Sequence, residues 1–109
     1  MIKIYEYPVI FAVEDQTTEE GDFPVYIRIP DLMDAGFNLA SSSSHTEDDI
    51  ISIARDCMKI AIQDGLRRDL HMPVPSKLRE IDLKKHLYLY EEESIELRSI
   101  AIEWIKTEI

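Results

Sequence analysis

Cysteine is almost missing from this 109-residue chain: Cys57 stands alone, which excludes an internal disulfide framework. Glycine and proline are also sparse, at 3 and 5 residues, and this argues against a low-complexity or linker-like chain. There is no basic-then-apolar leader and no long uncharged apolar run, so a cytoplasmic protein without a membrane span is expected. Bases are outnumbered, 12 Lys and Arg against 22 Asp and Glu, for a net charge of −10. Such a surface repels phosphate backbones, whose neutralisation needs clustered cations. The three histidines, His45, His71 and His86, form no H-x-x-x-H motif and have no cysteine companions, so neither a zinc site nor any other cofactor is expected.

What is present is the material of a folded domain. Hydrophobic residues make up 45% of the chain, and its length suits a single core spanning 1–109. The charge is lopsided. Residues 1–49 carry 11 acids against only Lys3 and Arg28, for −9, whereas residues 50–109 are nearly balanced at −1. An asymmetry of this kind reads either as a solvated acidic face or as a docking surface for a basic partner.

Along the chain, "IKIYEYPVIFAVED" is aromatic and β-branched and predicts a strand from Ile2 to Val13, with Pro8 at an edge, a strand start or a bulge. In "FPVYIRIP", Phe23, Val25, Ile27 and Ile29 alternate with Pro24, Tyr26, Arg28 and Pro30, the period of a half-buried strand. The two strands suggest a hairpin with a long acidic loop. From Ile50 onward, Ala54, Cys57 and Ala61 share a stripe flanked by Ile51, Met58 and Ile62, so an amphipathic helix is expected from about Glu47 to Asp64. Thr46 with Asp49 resembles a capping box, and Gly65 is a natural terminator, with a further turn through Leu70 left open.

Between these elements lies "FNLASSSSHT", which has no helical period and reads as a third strand at a sheet edge. A nucleophilic serine is disfavoured, because Ser44 and His45 would point to opposite faces of a strand and no G-x-S-x-G elbow is present. Cys57 lies on the apolar stripe and reads as a core residue. "MPVPS", from Met72 to Ser76, reads as an extended connector. Residues 80–93 fit a short helix or a strand, and Arg98 to Lys106 reads as the last strand. The expected core is Phe23, Val25, Ile27, Ile29, Ile51, Ala54, Met58, Ile62 and Trp104.

The ordered set of Tyr7-Pro8, Glu14-Asp15, Pro30 to Leu32, Thr46, Asp48-Asp49, Ala54, Asp64-Gly65, Pro73, Pro75 and Ser76 resembles the HicB antitoxin family over residues 5–76. The chain departs from that pattern after Leu32, where Met33 and Asp34 replace the usual Pro-Gly, and before Thr46, where serines replace a Gly. The resemblance implies an α+β domain of β-β-β-α-β order. That domain is like a truncated ribonuclease-H fold, its mainly antiparallel sheet carrying one long helix on one face. It also implies a non-enzymatic antitoxin that masks the RNA-binding and active-site surface of a small basic HicA-type RNase toxin, and a homo-oligomer, dimer or tetramer, is a further expectation. The family's DNA-binding segment would follow the last strand, so DNA binding is not expected of residues 1–109.

The acids expected at the partner surface, from their loop and helix-start positions, are Glu14, Asp15, Asp31, Glu47 and Asp48. Two other classes remain compatible with the residues. A nucleic-acid-binding module would use the basic middle, Arg55, Lys59, Arg67, Arg68, Lys77, Arg79, Lys84 and Lys85. A degenerate metal-dependent nuclease would need Glu14, Asp15, Asp31 and Asp34 to converge.

Overall fold

The computed structural model describes residues 2–87 and 97–109. The elements run β1 (Ile4–Glu14), β2 (Val25–Arg28), α1 (Pro30–Asp34), β3 (Ser41–Ser44), α2 (Ile50–Arg67), a 3₁₀ turn (Leu78–Glu80), α3 (Leu83–Leu87) and β4 (Leu97–Glu108). The four strands make one antiparallel sheet in the order β3-β2-β1-β4. The α+β class, the hairpin and the serine strand at an edge therefore match the reading of the sequence.

Proline sets the length of β2. Glu14 donates to the Pro24 carbonyl at 2.9 Å, in line with the Ile10↔Arg28 to Val13↔Val25 register. Continued the other way, that register would place Pro8 opposite Pro30, two residues with no N–H to offer, so the ladder stops at Arg28. Pro30 instead opens α1, whose end is marked by Gly36 at φ 87, with Phe37 N–H closing back onto the Leu32 carbonyl at 2.9 Å.

The core lies between the sheet and α2. Tyr7, Val9, Phe11 and Val13 of β1 join Val25, Ile27 and Ile29 against Ala54, Cys57, Met58, Ala61 and Ile62 of the helix. The expected stripe is thus the buried one. Gly65 does not terminate α2, however; it lies within the helix because the Phe37 ring lies so close that a Cβ there would sit 2.1 Å from its Cε2 atom. The terminator is Asp69, at φ 60, with Leu70 N–H bonding the Gly65 carbonyl at 3.0 Å.

Three further expectations are corrected. Helix α2 begins at Ile50, not Glu47, and its N-cap is Asp49 at φ 56 rather than Thr46. Thr46 Oγ1 instead accepts the Asp48 N–H at 3.2 Å, a local turn that bends the chain from strand to helix. Ile51 is 39% exposed and Trp104 is 43% exposed, so neither belongs to the core. Trp104 pairs with Pro8 on the face of the sheet away from α2, while Ile105 and Thr107 take the buried positions on the helix side.

The segment after α2 is tied back to β1 and to α1. Tyr7 Oη donates to the Pro73 carbonyl at 2.6 Å. Burial, with the Asp31 charge behind it, pushes the Tyr7 phenol up to about 12. Asp31, buried on α1, accepts Ser76 N–H at 2.8 Å and Ser76 Oγ–H at 2.6 Å. Of the ambiguous 80–93 stretch, Leu83–Leu87 is helical, and residues 88–93 lie outside the described residues.

Candidate protein-docking surface

Antiparallel topology decides where the acids go. β1 and β3 both run toward the end of the sheet at which β2 and β4 begin. The β1–β2 loop (15–24) and the β3–α2 turn (45–49) therefore emerge at that same end. Exposed Asp15, Glu19, Glu20 and Asp22 come from the first, and exposed Glu47, Asp48 and Asp49 from the second. Glu14 sits at the rim of this end, where its Oε2 accepts the Tyr26 hydroxyl at 2.9 Å. Four of the five acids named from sequence are thus gathered at one end.

Asp31 is the fifth, and it does not belong with them. It lies on α1, past the opposite end of β2, and is 8% exposed with both carboxylate oxygens engaged by Ser76. A carboxylate in that state is committed to the fold and cannot meet a partner's cation, so it leaves the docking set. Its neighbour Asp34 is half exposed and pairs with Lys85 Nζ and His86 Nε2, each at 3.0 Å from Oδ1. Burial works against its charge, but the bonds and charges of His86 and Lys85 outweigh that and hold the carboxyl below the usual range. His86 is itself buried on α3, its Nδ1 2.7 Å from the Asp82 carbonyl.

Beneath the acidic end, α2 leaves part of the sheet uncovered. A groove of about 230 Å³ has Phe11, Val13, Val25, Ile50 and Ala101 along its floor, with Glu47 and Glu103 beside them. Ala101 and Glu103 are exposed although they face the helix side of the sheet. An apolar floor with carboxylates beside it suits the stem and head of a lysine or arginine side chain. Glu103 escaped the reading of the sequence. Its odd-numbered position among the helix-facing residues of β4 was the available signal, and the choice of face for β4 hid it.

Catalytic alternatives find no support in this geometry. Ser44 Oγ accepts the Thr46 N–H at 3.4 Å, and His45 projects into solvent. Burial pushes the Cys57 thiol up to about 11, against the smaller pull of Arg28, and its Sγ–H points to the Leu39 carbonyl at 3.7 Å. Glu14 and Asp15 lie at one end of the sheet and Asp31 and Asp34 at the other. Among the described residues, no three His, Cys, Asp or Glu side chains come together as a metal site. Nor, among them, is any helix long and apolar enough to cross a membrane.

No protein-family model matches this sequence, and no curated protein matches it significantly. A solved structure does share its fold. The chain superposes on one from a structure described as a toxin–antitoxin complex from Streptococcus pneumoniae, with a TM-score of 0.70. The match covers 96% of this chain and 69% of that one at 16% sequence identity, so the shared property is the path of the backbone.

Proposed function

We propose that this chain is an antitoxin-like protein that neutralises a small basic protein toxin by covering the toxin's cationic RNA-binding and active-site surface. The observation that carries the reading is the gathering of two acidic loops around one apolar-floored groove. The contacts are assigned to Glu14, Asp15, Glu47 and Asp48, with Glu103 added from the groove. The fold likeness to a chain of a toxin–antitoxin complex supports the same reading, and the ordered HicB-like motifs point to a HicA-type RNase as the toxin. The role is masking, not catalysis, and the setting is cytoplasmic.

A nucleic-acid module is the weaker reading because the net charge is −10 and three of its eight cations are already engaged. Arg68 pairs with Asp64, Lys85 with Asp34, and Arg55 Nε donates to the Lys106 carbonyl. The test is a titration of the small basic protein encoded beside this chain, and of duplex DNA and single-stranded RNA, at two salt concentrations. Tight binding to the neighbour that weakens with salt is expected, with little binding to either polymer. Reversing Asp15, Glu47 and Asp48 to Lys adds two charges at each position and takes the net charge from −10 to −4. Association should slow and its salt dependence flatten, with the fold intact. Tight binding to nucleic acid and none to the neighbour overturns the proposal.

A further inference from the structure

Val25, Ile27 and Ile29 turn toward α2, so the alternation of β2 sends Arg28 to the opposite face of the sheet. There it is 9% exposed, and among the described residues no carboxylate pairs with it. The guanidinium is anchored on one side, where Nη1 donates to the Ile27 carbonyl at 2.9 Å and to the Ser42 carbonyl at 3.1 Å. On the other side Nε is shut off from solvent and has no hydrogen-bond partner among the described residues. Burial lowers the guanidinium's pKa from its ordinary value, against the smaller pull of Tyr26, and the group stays charged at neutral pH. A buried cation with an orphaned N–H is half of a pair, and its complement is an anion that brings its own acceptors.

A groove of about 370 Å³ opens at this cation, lined by Tyr26, Arg28, Ser41, Ser42 and Ser43. Register explains the lining. Ser41 lies opposite Arg28 and Ser43 opposite Tyr26, and residues directly opposite in an antiparallel pair share a face of the sheet. The Ser41 and Ser43 hydroxyls therefore stand on the guanidinium's side, and among the described residues no hydrogen bond engages either of them. The Tyr26 ring, its centroid 5.6 Å from Arg28 Cζ, lines the same groove.

We infer that this groove is a binding site for a small monocarboxylate, held by the Arg28 guanidinium with the Ser41 and Ser43 hydroxyls donating to the same oxygens. Nη1 is taken by the backbone, which leaves the edge formed by Nε and Nη2, the fork that fits two carboxylate oxygens side by side. Reaching Nε takes a side-chain adjustment in the groove wall, the usual scale of change on binding. The volume is that of a small-molecule pocket. One cation lines the groove, and Glu14 already bonds the Tyr26 hydroxyl. In a chain of net charge −10, that balance favours an anion of one charge over a dianion such as hydrogen phosphate. The site lies on the face of the sheet away from the groove floored by Phe11, Val13 and Val25, so it does not depend on the partner proposed above.

The full chain is titrated with sodium acetate at constant ionic strength, sodium chloride making up the balance, and followed by proton–nitrogen correlation spectra that include the arginine Nε–H signals. The Arg28 Nε–H signal and the Ser41, Ser42 and Ser43 amides should shift saturably, while the amides of Glu47 and Asp48 at the acidic end should not. Arg28→Lys identifies the side-chain signal by its loss; it keeps the charge but not the fork, and should weaken acetate binding roughly tenfold or more. The decisive variant combines Ser41→Ala with Ser43→Ala, on a strand whose side chains are at least partly exposed. It should fold normally by circular dichroism and bind acetate roughly tenfold more weakly. Hydrogen phosphate should bind the wild-type chain more weakly than acetate does. An acetate titration that leaves the Arg28 signal in place overturns the proposal, as do shifts that chloride alone reproduces. So does acetate binding indifferent to the serine pair, or phosphate binding tighter than acetate.

Discussion

The sheet's two edge strands follow different rules: β3 is four serines paired to β2, whereas β4 is a twelve-residue ribbon with isoleucine and tryptophan in solvent. β3 is short and polar, the ordinary way of making an edge unattractive to other strands. It is also flanked by fastened elements. Asp31 ties α1 to the connector at Ser76, and Asp34 ties it to α3 through Lys85 and His86. β4 is tied to the helix by Arg55, whose Nε donates to the Lys106 carbonyl at 3.1 Å. Among the described residues neither edge carries a further strand, but one is short and polar and the other long and flanked by exposed apolar side chains.

The contrast can be broken at several depths. The largest effect is expected from Ile62→Asp, since the core under α2 supports both edges. An unpaired charge at a fully buried site costs several kcal/mol against a total stability of roughly 5–15 kcal/mol, and the variant should lack a cooperative melt. Asp31→Ala releases only α1 from the connector at Ser76. Losing hydrogen bonds to a charged acceptor should cost about 1.5–3 kcal/mol by denaturant titration.

The Asp34 cluster adds a pH signature. A carboxyl held below its ordinary range in the folded state stabilises the protein above pH ~4, and that contribution disappears as pH falls through the lowered value. Wild-type stability should therefore drop more steeply in acid than that of Asp34→Asn, with the two curves converging at the acid end. The smallest effect belongs to the serines themselves. Ser43→Ala, at an exposed strand position, should shift stability by no more than about 0.5 kcal/mol by denaturant titration.

Much of this fold was legible where a residue's environment is set by its near neighbours. The alternation of Val25, Ile27 and Ile29, and the stripe of Ala54, Cys57, Met58, Ala61 and Ile62, are local patterns, and both mark the core. Trp104 shows the limit. Ile100, Ile102 and Trp104 form one apolar set of β4, Ala101 and Ile105 another, and only the long-range register with β1 says which set faces the helix. Asp31 fails for a related reason: its partner Ser76 is 45 residues away, so nothing around it in sequence distinguishes a buried acid from a solvated one. Glu14, Asp15, Glu47 and Asp48 were recognisable as loop acids, but their convergence at one end is a property of topology.

The pairing of β1 with β4 also has a consequence for synthesis. The sheet's longest ladder joins Ile4 to Glu108, so β1 is synthesised well before its partner β4. At ordinary elongation rates that interval is on the order of ten seconds, during which the apolar run from Tyr7 to Val13 has only the short β2 to pair with. Such non-local closure makes for slow folding. The nascent chain is therefore a natural client for whatever shields apolar segments at the ribosome exit, and translation must pass β4 before the sheet can close.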